Sequence, residues 1–347
     1  MASSFFLFRL FKRKGSSRKS ERSEQSRHTS SNNTSYSKNK MSSVSTSGSS
    51  QQNSEDFAAS QYRYDEQGRR YHNRSDAAYI LPNDDEEIDR LHMQHWILKI
   101  SFQSNFGSPV KKHLEEGINV LDGGCGPGTW SLEMAKDYPQ SKFTGIDISE
   151  AFPSEIKPSN CHFQVHNVND PLPFSQNHFD YVFQRLLVVG IKEDDWDNVI
   201  SQYMHVLKPG GWLELLEALL PECVNPGPKL ELLMNTLAEM IEPRGVNPRI
   251  VHSIKDRMKK AGIEKVHVKY VEIPVHHGGK IGELFWQDFV MGIRDVVRPV
   301  IIKKHPELEE PDAYTNFIEE CGKECDELKT CIKFYRFCGQ KPTTIIA

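Results

Sequence analysis

No stretch of this 347-residue chain approaches the roughly 18 to 20 consecutive apolar residues that cross a bilayer, so no membrane span is expected. Short Cys-x2-Cys pairs are missing too. The seven cysteines are scattered, which excludes a small disulfide framework and fits free thiols in a reducing compartment. Cys321, Cys325, Cys331 and Cys338 fall late in the chain, and Cys321 and Cys325 would share a helix face. Zinc knuckle spacing is absent there, and no metal is expected. Net charge is small as well: 43 Lys and Arg against 47 Asp and Glu make a nucleic-acid partner unlikely on charge grounds. Apolar residues make up only 37%, so part of the chain should lie outside any core. There is no internal repeat.

What charge there is lies unevenly. Residues 1–54 carry ten Lys or Arg against Glu21 and Glu24, leaving the remainder acidic. From Gly15 to Ser60 the sequence is mostly Ser, Asn, Gln, Thr and Lys, with too little to bury to offset ordering entropy. Residues 1–60 are therefore read as a disordered, Ser-rich basic tail that could meet regulatory protein partners. The run Phe5–Phe11 precedes Lys12-Arg13-Lys14, whereas a secretory signal places its charge first. Cytoplasmic or nuclear placement fits, with a weak membrane-surface anchor or a Ser- and Arg-rich mitochondrial transit segment left open.

Order should begin near Gln61, where Tyr62, Tyr64, Tyr71, Tyr79, Ile80 and Leu81 supply packing groups. Residues 84–106 predict an amphipathic helix with Ile88, Leu91, Trp96, Ile97 and Ile100 mostly on one face. From Gly117 strands and helices alternate. Strands are expected at 118–122, 142–147, 161–166, 179–184 and 212–217, with helices over 130–138 and 193–206. Helices over 230–241 and 250–261 follow, then a strand at 265–273, helical segments near 281–302 and 311–328, and a last strand at 332–338. Such alternation predicts an α/β fold: a Rossmann-like, doubly wound, mainly parallel sheet with an N-terminal helix and a helical insert before the last strand. The expected division is a folded domain over 61–347, with a ligand-binding core over 117–217 and a helical cap over 275–328.

The most informative segment is Val120–Trp130, VLDGGCGPGTW. A strand delivers Asp122 and Gly123 to the carboxyl edge of the sheet, where open α/β sheets bind ligands. Gly124, Gly126 and Gly128, with Cys125 between them, allow a tight turn and close approach of backbone to ligand. The nicotinamide fingerprint G-x-G-x-x-G also follows a strand, but here the third glycine comes one position early. Pro127 removes an N–H that a pyrophosphate could have used, so the turn fits a ligand without one. Asp147, ending the second strand, would accept hydrogen bonds from a ribose under either reading.

Val120–Trp130 resembles the first motif of the class I S-adenosylmethionine-dependent methyltransferases, and Gly145–Ser149 resembles their second. Asn169–Phe174 with His178–Val182 is similar to their LPF…FD stretch, and Leu207–Trp212 to the turn before their fifth strand. Tyr79–Asp84 with Gln184–Leu187 resembles, more narrowly, the LaeA-like fungal regulators of secondary metabolism. The resemblance implies S-adenosyl-L-methionine as cofactor. Asp122, Gly123, Gly124, Cys125, Gly126 and Gly128 would form its turn, with the glycines along the methionine portion. Asp147 and Ile148 would take the ribose. Asn167 and Val168 stand where the family carries an acidic residue near the adenine amino group, which an Asn carbonyl oxygen can still meet. Gln184 and Arg185 would sit beside the cofactor where the acceptor arrives.

Methyl transfer from a sulfonium asks the protein mainly to align the acceptor and exclude water. An O- or N-acceptor, small molecule or protein, that must lose a proton needs a base. His95, Glu217, His276 and His277 qualify by type only. Arg185 could orient an acidic acceptor. The segment carrying Trp286, Phe289, Met291 and Ile293 could be a lid or simply core at helical spacing. No Asn/Asp-Pro-Pro-Tyr stretch points to base or glutamine methylation. A cofactor-binding regulator with little catalysis, working through partners, is the rival reading.

Overall fold

A computed structural model describes residues 62–65, 68–73 and 80–343. The tail expected over residues 1–60, and Tyr79, lie outside the described residues. Two short antiparallel strands, β1 (Tyr62–Tyr64) and β2 (Arg70–His72), lead to helix α1 (Asp85–Phe102). Asp84 caps that helix by accepting the Glu87 N–H at 3.0 Å, and Asp85, Glu86 and Glu87 complement the positive helix end. Arg69 donates to the same Asp84 at 2.6 Å, tying the hairpin to the cap.

The face that α1 buries differs from the expected one. Ile97 and Leu98 are buried, but Trp96 and Ile100 are exposed, and Glu87, Arg90 and His95 are buried in their place. Glu87 pairs with Arg90 one turn on, and Arg90 with Asp288 and His95 with Glu133 reach other elements, which offsets a desolvation that periodicity alone cannot weigh.

Downstream, the chain runs through α2 (Lys111–Glu116), β3 (Asn119–Gly123), α3 (Thr129–Asp137), β4 (Lys142–Asp147), β5 (Cys161–Val165) and β6 (Phe179–Arg185). There follow α4 (Trp196–Val206), β7 (Leu207–Val224), α5 (Pro228–Ile241), α6 (Val251–Lys260), β8 (Glu264–Pro274), α7 (Lys280–Lys304), α8 (Pro311–Leu328) and β9 (Cys331–Gln340). The main sheet has the order β5-β4-β3-β6-β7-β9-β8. Strands β3 to β7 run parallel, and β9 lies antiparallel between β7 and β8. The expected mainly parallel, doubly wound sheet is present. Its strand at 212–217 proves to be the middle of a longer β7, because the Gly210 N–H pairs with the Lys341 carbonyl and extends the ladder backward.

Alternation along each strand separates two cores. Val120, Tyr181 and Phe183 pack with Trp130 and Met134 of α3 on one face. Leu121, Val182, Leu213 and Leu215 pack with Trp196, Ile200 and Tyr203 of α4 and with Ile254 and Met258 of α6 on the other. A third core joins α5, α7 and α8 with Ile97 and Leu98 of α1 and Phe334 of β9. Helices before and after the sheet thus cap one end together. Among the described residues no helix is long and apolar enough to cross a membrane, and no group of three or more His, Cys, Asp or Glu could hold a metal. Cys321 and Cys325 are buried on α8, while Cys331 and Cys338 sit apart on β9.

Two buried carboxylates of β7 hold the strand ends in register. Glu214 accepts from the Gly107 and Ser108 N–H groups, the Ser108 hydroxyl and the Tyr181 hydroxyl at 2.8–2.9 Å, and pairs with Arg336 of β9 at 3.2 Å. Glu217 accepts from Leu187 N–H, Val188 N–H and Gln184 Nε2 at 3.1, 3.0 and 3.2 Å, which fixes the loop leaving β6. Burial pushes the Glu217 carboxyl up to about 7 despite these donors.

Two stability measurements follow. Glu214→Ala strands the Arg336 charge and two backbone donors, and should cost about 3–5 kcal/mol in urea unfolding, against roughly 1 kcal/mol for Tyr181→Phe. A carboxyl raised in the fold favours the native state below its unfolded pKa and loses that benefit as pH rises through the folded value. The melting temperature of Glu217→Gln relative to wild type should therefore climb between pH 5 and about 7 and level off above. A pH-independent difference would show that Glu217 titrates normally.

Candidate active site

The parallel strands β3, β4, β5 and β6 end at one edge, and the chain leaves β3 and β6 toward opposite sides of the sheet, opening a crevice there. Into it β3 delivers the turn from Gly124 to Gly128. The N–H groups of Gly124 and Cys125 both donate to the Ile146 carbonyl, at 2.8 and 3.0 Å, so the turn is latched to β4. Asp147 closes the latch, its carboxylate accepting the Gly126 N–H and the Ser149 N–H at 2.8 Å each. Burial nevertheless holds the Asp147 carboxyl above its ordinary range.

The glycines differ in what they face. A Cβ on Gly128 (φ 74°) would stand 2.4 Å from the Phe163 ring, so that position is glycine for packing. A Cβ on Gly126 (φ 54°) would meet only Leu91 of α1, at 3.7 Å, and would project into open space. Gly126 is where backbone and ligand can come closest.

Behind the turn sits a desolvated charge relay. Asp122 is buried, accepts from the Ser131 hydroxyl at 2.7 Å, and is pushed up to about 6 by burial. Burial likewise lowers Arg185 to about 10, while Asp122 favours its charge. Arg185 donates to His95 Nδ1 at 3.3 Å, and His95 Nε2 stands 2.7 Å from Glu133. Arginine can only donate, so the His95 proton is assigned to Nε2 and the ring is neutral, in keeping with the lowering of its pKa by burial. Burial would raise Glu133, but donors from His95, Lys99 and Asn105 bring it down to about 2. His95 is thus spent on positioning Arg185.

A cavity of about 250 Å³ runs from the glycine turn into the helical cap. Of the residues expected at the cofactor, Gly124, Cys125, Gly126, Asp147, Ile148, Asn167, Val168 and Arg185 line it. Asp122, Gly123, Gly128 and Gln184 stand behind its wall. Gln184 accepts from the Tyr203 hydroxyl at 2.8 Å and donates to Glu217, and Gly123 leaves room for that same tyrosine. Neither Glu217, His95, His276 nor His277 lines the cavity. His277 bonds the Thr330 carbonyl at 2.8 Å, and His276 packs edge-on to Trp286. Phe289 and Ile293 of the suspected lid do line it, whereas Met291 is exposed.

Sequence reasoning missed two groups. His166 and Asn169 flank Asn167 and Val168 in the wall, and among the described residues neither His166 Nε2 nor Asn169 Oδ1, both buried, has a hydrogen-bond partner. Asn167 Oδ1, the acceptor expected for the adenine, takes the Asn169 N–H at 3.1 Å. Position directly after the third parallel strand was the available signal. The second group is Glu87, Arg90 and Gln94 of α1 with Asp288 of α7, all in the cavity wall. Its polar spacing on α1 was visible, but its partner was 198 residues away.

Gly126, open on its cavity side, and two partnerless buried polar atoms further along the same wall fit a ligand that brings its own donors and acceptors. That chemistry suits a nucleoside carrying an amino-acid chain. Comparison with known proteins agrees. A family model described as a methyltransferase domain matches residues 120–211. The chain is 29% identical over 276 residues to N-methyltransferase sirN of Leptosphaeria maculans, covering 76% of this chain and 95% of that protein. It is 31% identical over 227 residues to N-methyltransferase gliN of Aspergillus fumigatus, covering 62% and 79%. With the secondary metabolism regulator laeA of Aspergillus flavus it shares 30% over 155 residues, covering 44% and 41%. Likeness over most of such a relative's length, on a sheet and glycine turn of this geometry, assigns the chain to the class I S-adenosylmethionine-dependent methyltransferases.

Proposed function

We propose that this methyltransferase transfers its methyl group to an oxygen or nitrogen of a small molecule held in the apolar part of the same cavity. One observation carries the reading: the same cavity that the glycine turn lines is also lined by Met234, Leu237, Phe285, Phe289 and Phe334. A chamber sunk among helices suits a compact acceptor better than a protein segment. The names of two relatives, both N-methyltransferases, favour nitrogen over oxygen.

Bound S-adenosylmethionine supplies a methyl group already activated by its sulfonium. The chain's own residues would hold it: Gly124 to Gly126 along the methionine portion, Asp147 at the ribose, and Asn167 with His166 and Asn169 at the adenine. Arg185, fixed by Asp122 and His95, would face the carboxylate end. The helical cap excludes water and aligns the acceptor, which accounts for much of what this chemistry needs.

Likeness to the laeA regulators supports a second reading, a cofactor-binding regulator that works through partners with little turnover. Calorimetric titration of S-adenosylmethionine and S-adenosylhomocysteine into the full chain tests the shared part. Binding should weaken roughly 10- to 100-fold in Asp147→Ala, which loses charge-assisted hydrogen bonds, and disappear in Gly126→Val, whose side chain enters the cavity. Unchanged affinity in both variants would remove the cofactor from this cavity. Methyl transfer to any small acceptor in a broad panel would refute the purely regulatory reading.

A further inference from the structure

The wall of the acceptor chamber contains a buried ionic cluster that the cofactor reading leaves unused. Arg90 of α1 donates to both oxygens of Glu87, at 2.7 and 2.6 Å, and to Asp288 of α7 at 2.7 Å. Gln94 donates to the other Asp288 oxygen at 3.2 Å. Glu87, Arg90 and Asp288 are each no more than 5% exposed. Two carboxylates therefore share one guanidinium in a dry setting. Among the described residues the ion pairs just outside add no surplus cation, since Arg69 pairs with Asp84 and Glu86, and Arg294 with Asp295.

Such an imbalance is costly unless something positive completes it. The geometry shows where that would be. On α7, Phe285, Asp288, Phe289, Gly292 and Ile293 form one stripe facing the cavity, with the carboxylate set among aromatic and aliphatic neighbours. A Cβ on Gly292 would lie 3.5 Å from the Arg90 guanidinium, in ordinary van der Waals contact, so Arg90 lies directly against α7. On α1, Leu91 is the residue facing Gly126, and Gln94 follows less than one helical turn later, about 4.5 Å along the axis. The Asp288 carboxylate thereby lines the same cavity as the turn where the cofactor is proposed to bind.

Resting on the function proposed above, we propose that Asp288 recognises the acceptor, and that the acceptor is an amine on an apolar, ring-containing body. Its N–H or ammonium meets the Asp288 carboxylate, and its body lies against Phe285 and Phe289, whose ring faces also favour a cation. An ammonium must shed one proton before its nitrogen has a lone pair to offer. That proton passes to Asp288, whose carboxyl burial holds above the ordinary carboxylate range.

The test uses the full chain saturated with S-adenosylhomocysteine, titrated with tetrahydroisoquinoline and N-methylphenethylamine. Isochroman and phenethyl methyl ether, which put oxygen in place of nitrogen, are the uncharged controls. The amines should bind roughly 30-fold or more tightly than the ethers, and Asp288→Asn should abolish that preference. Affinity for S-adenosylhomocysteine should stay within about threefold in the variant. Ethers binding as well as amines, a preference that survives Asp288→Asn, or no saturable amine binding by protein that holds S-adenosylhomocysteine would each overturn the assignment. Should Asp288→Asn not fold, Phe289→Trp carries the test. Filling the chamber should weaken amine binding roughly tenfold or more with the cofactor product still bound, and unchanged amine affinity would overturn the proposal. If wild type fails to bind S-adenosylhomocysteine at all, the cofactor reading falls, and this inference with it.

Discussion

Burying carboxylates at the carboxyl edge of a parallel sheet is the constraint on which this structure depends. Parallel strands end together, so acids at the ends of β3 and β4 and on β7 crowd into one low-dielectric edge. Each acid there has been given donors. Ser131 serves Asp122, backbone N–H groups of the glycine turn and of Ser149 serve Asp147, and the loop after β6 serves Glu217. Because those donors are largely backbone, satisfying the charge also shapes the loops. The strand order opens the crevice, and these donors set the conformation of the loops that line it.

That same logic separates residues that hold the site from residues that face it. Asp122, Gln184, Glu217 and His95 look functional by type and position, yet each is committed to another protein group behind the wall. Gly126, Asp147 and the Asn167–Asn169 segment face the cavity. Arg185 bridges the two sets, fixed by His95 from behind and exposed to the cavity in front. The cap follows the same rule at larger scale. Its apolar helices close over the crevice, and the ionic cluster at their junction joins α1 to α7 across a separation of 198 residues.

Much of the core was legible from spacing. Residues 117–217 alternate strand and helix with a period that leaves few topologies, and the expected strands differ from the observed ones by a residue or two, β7 excepted. The glycine turn and its partner Asp147 were legible because both requirements are local: tight backbone geometry and a carboxylate at a strand end. Helix α1 was less legible. Trp96 and Ile100 fit an apolar stripe, but the buried face carries Glu87, Arg90 and His95.

By itself the sequence determined the order of the main elements from Asn119 onward, the parallel core, and a glycine turn suited to a ligand without a pyrophosphate, since each rests on neighbours within about 30 residues. Tertiary structure alone decided which faces of α1 and α7 meet, that β9 slots between β7 and β8, and which polar atoms near Asn167 lack partners among the described residues. The physical reason is desolvation. Arg90 is buried with a partner, Asp288, brought from 198 residues away, and no local pattern records such a partner.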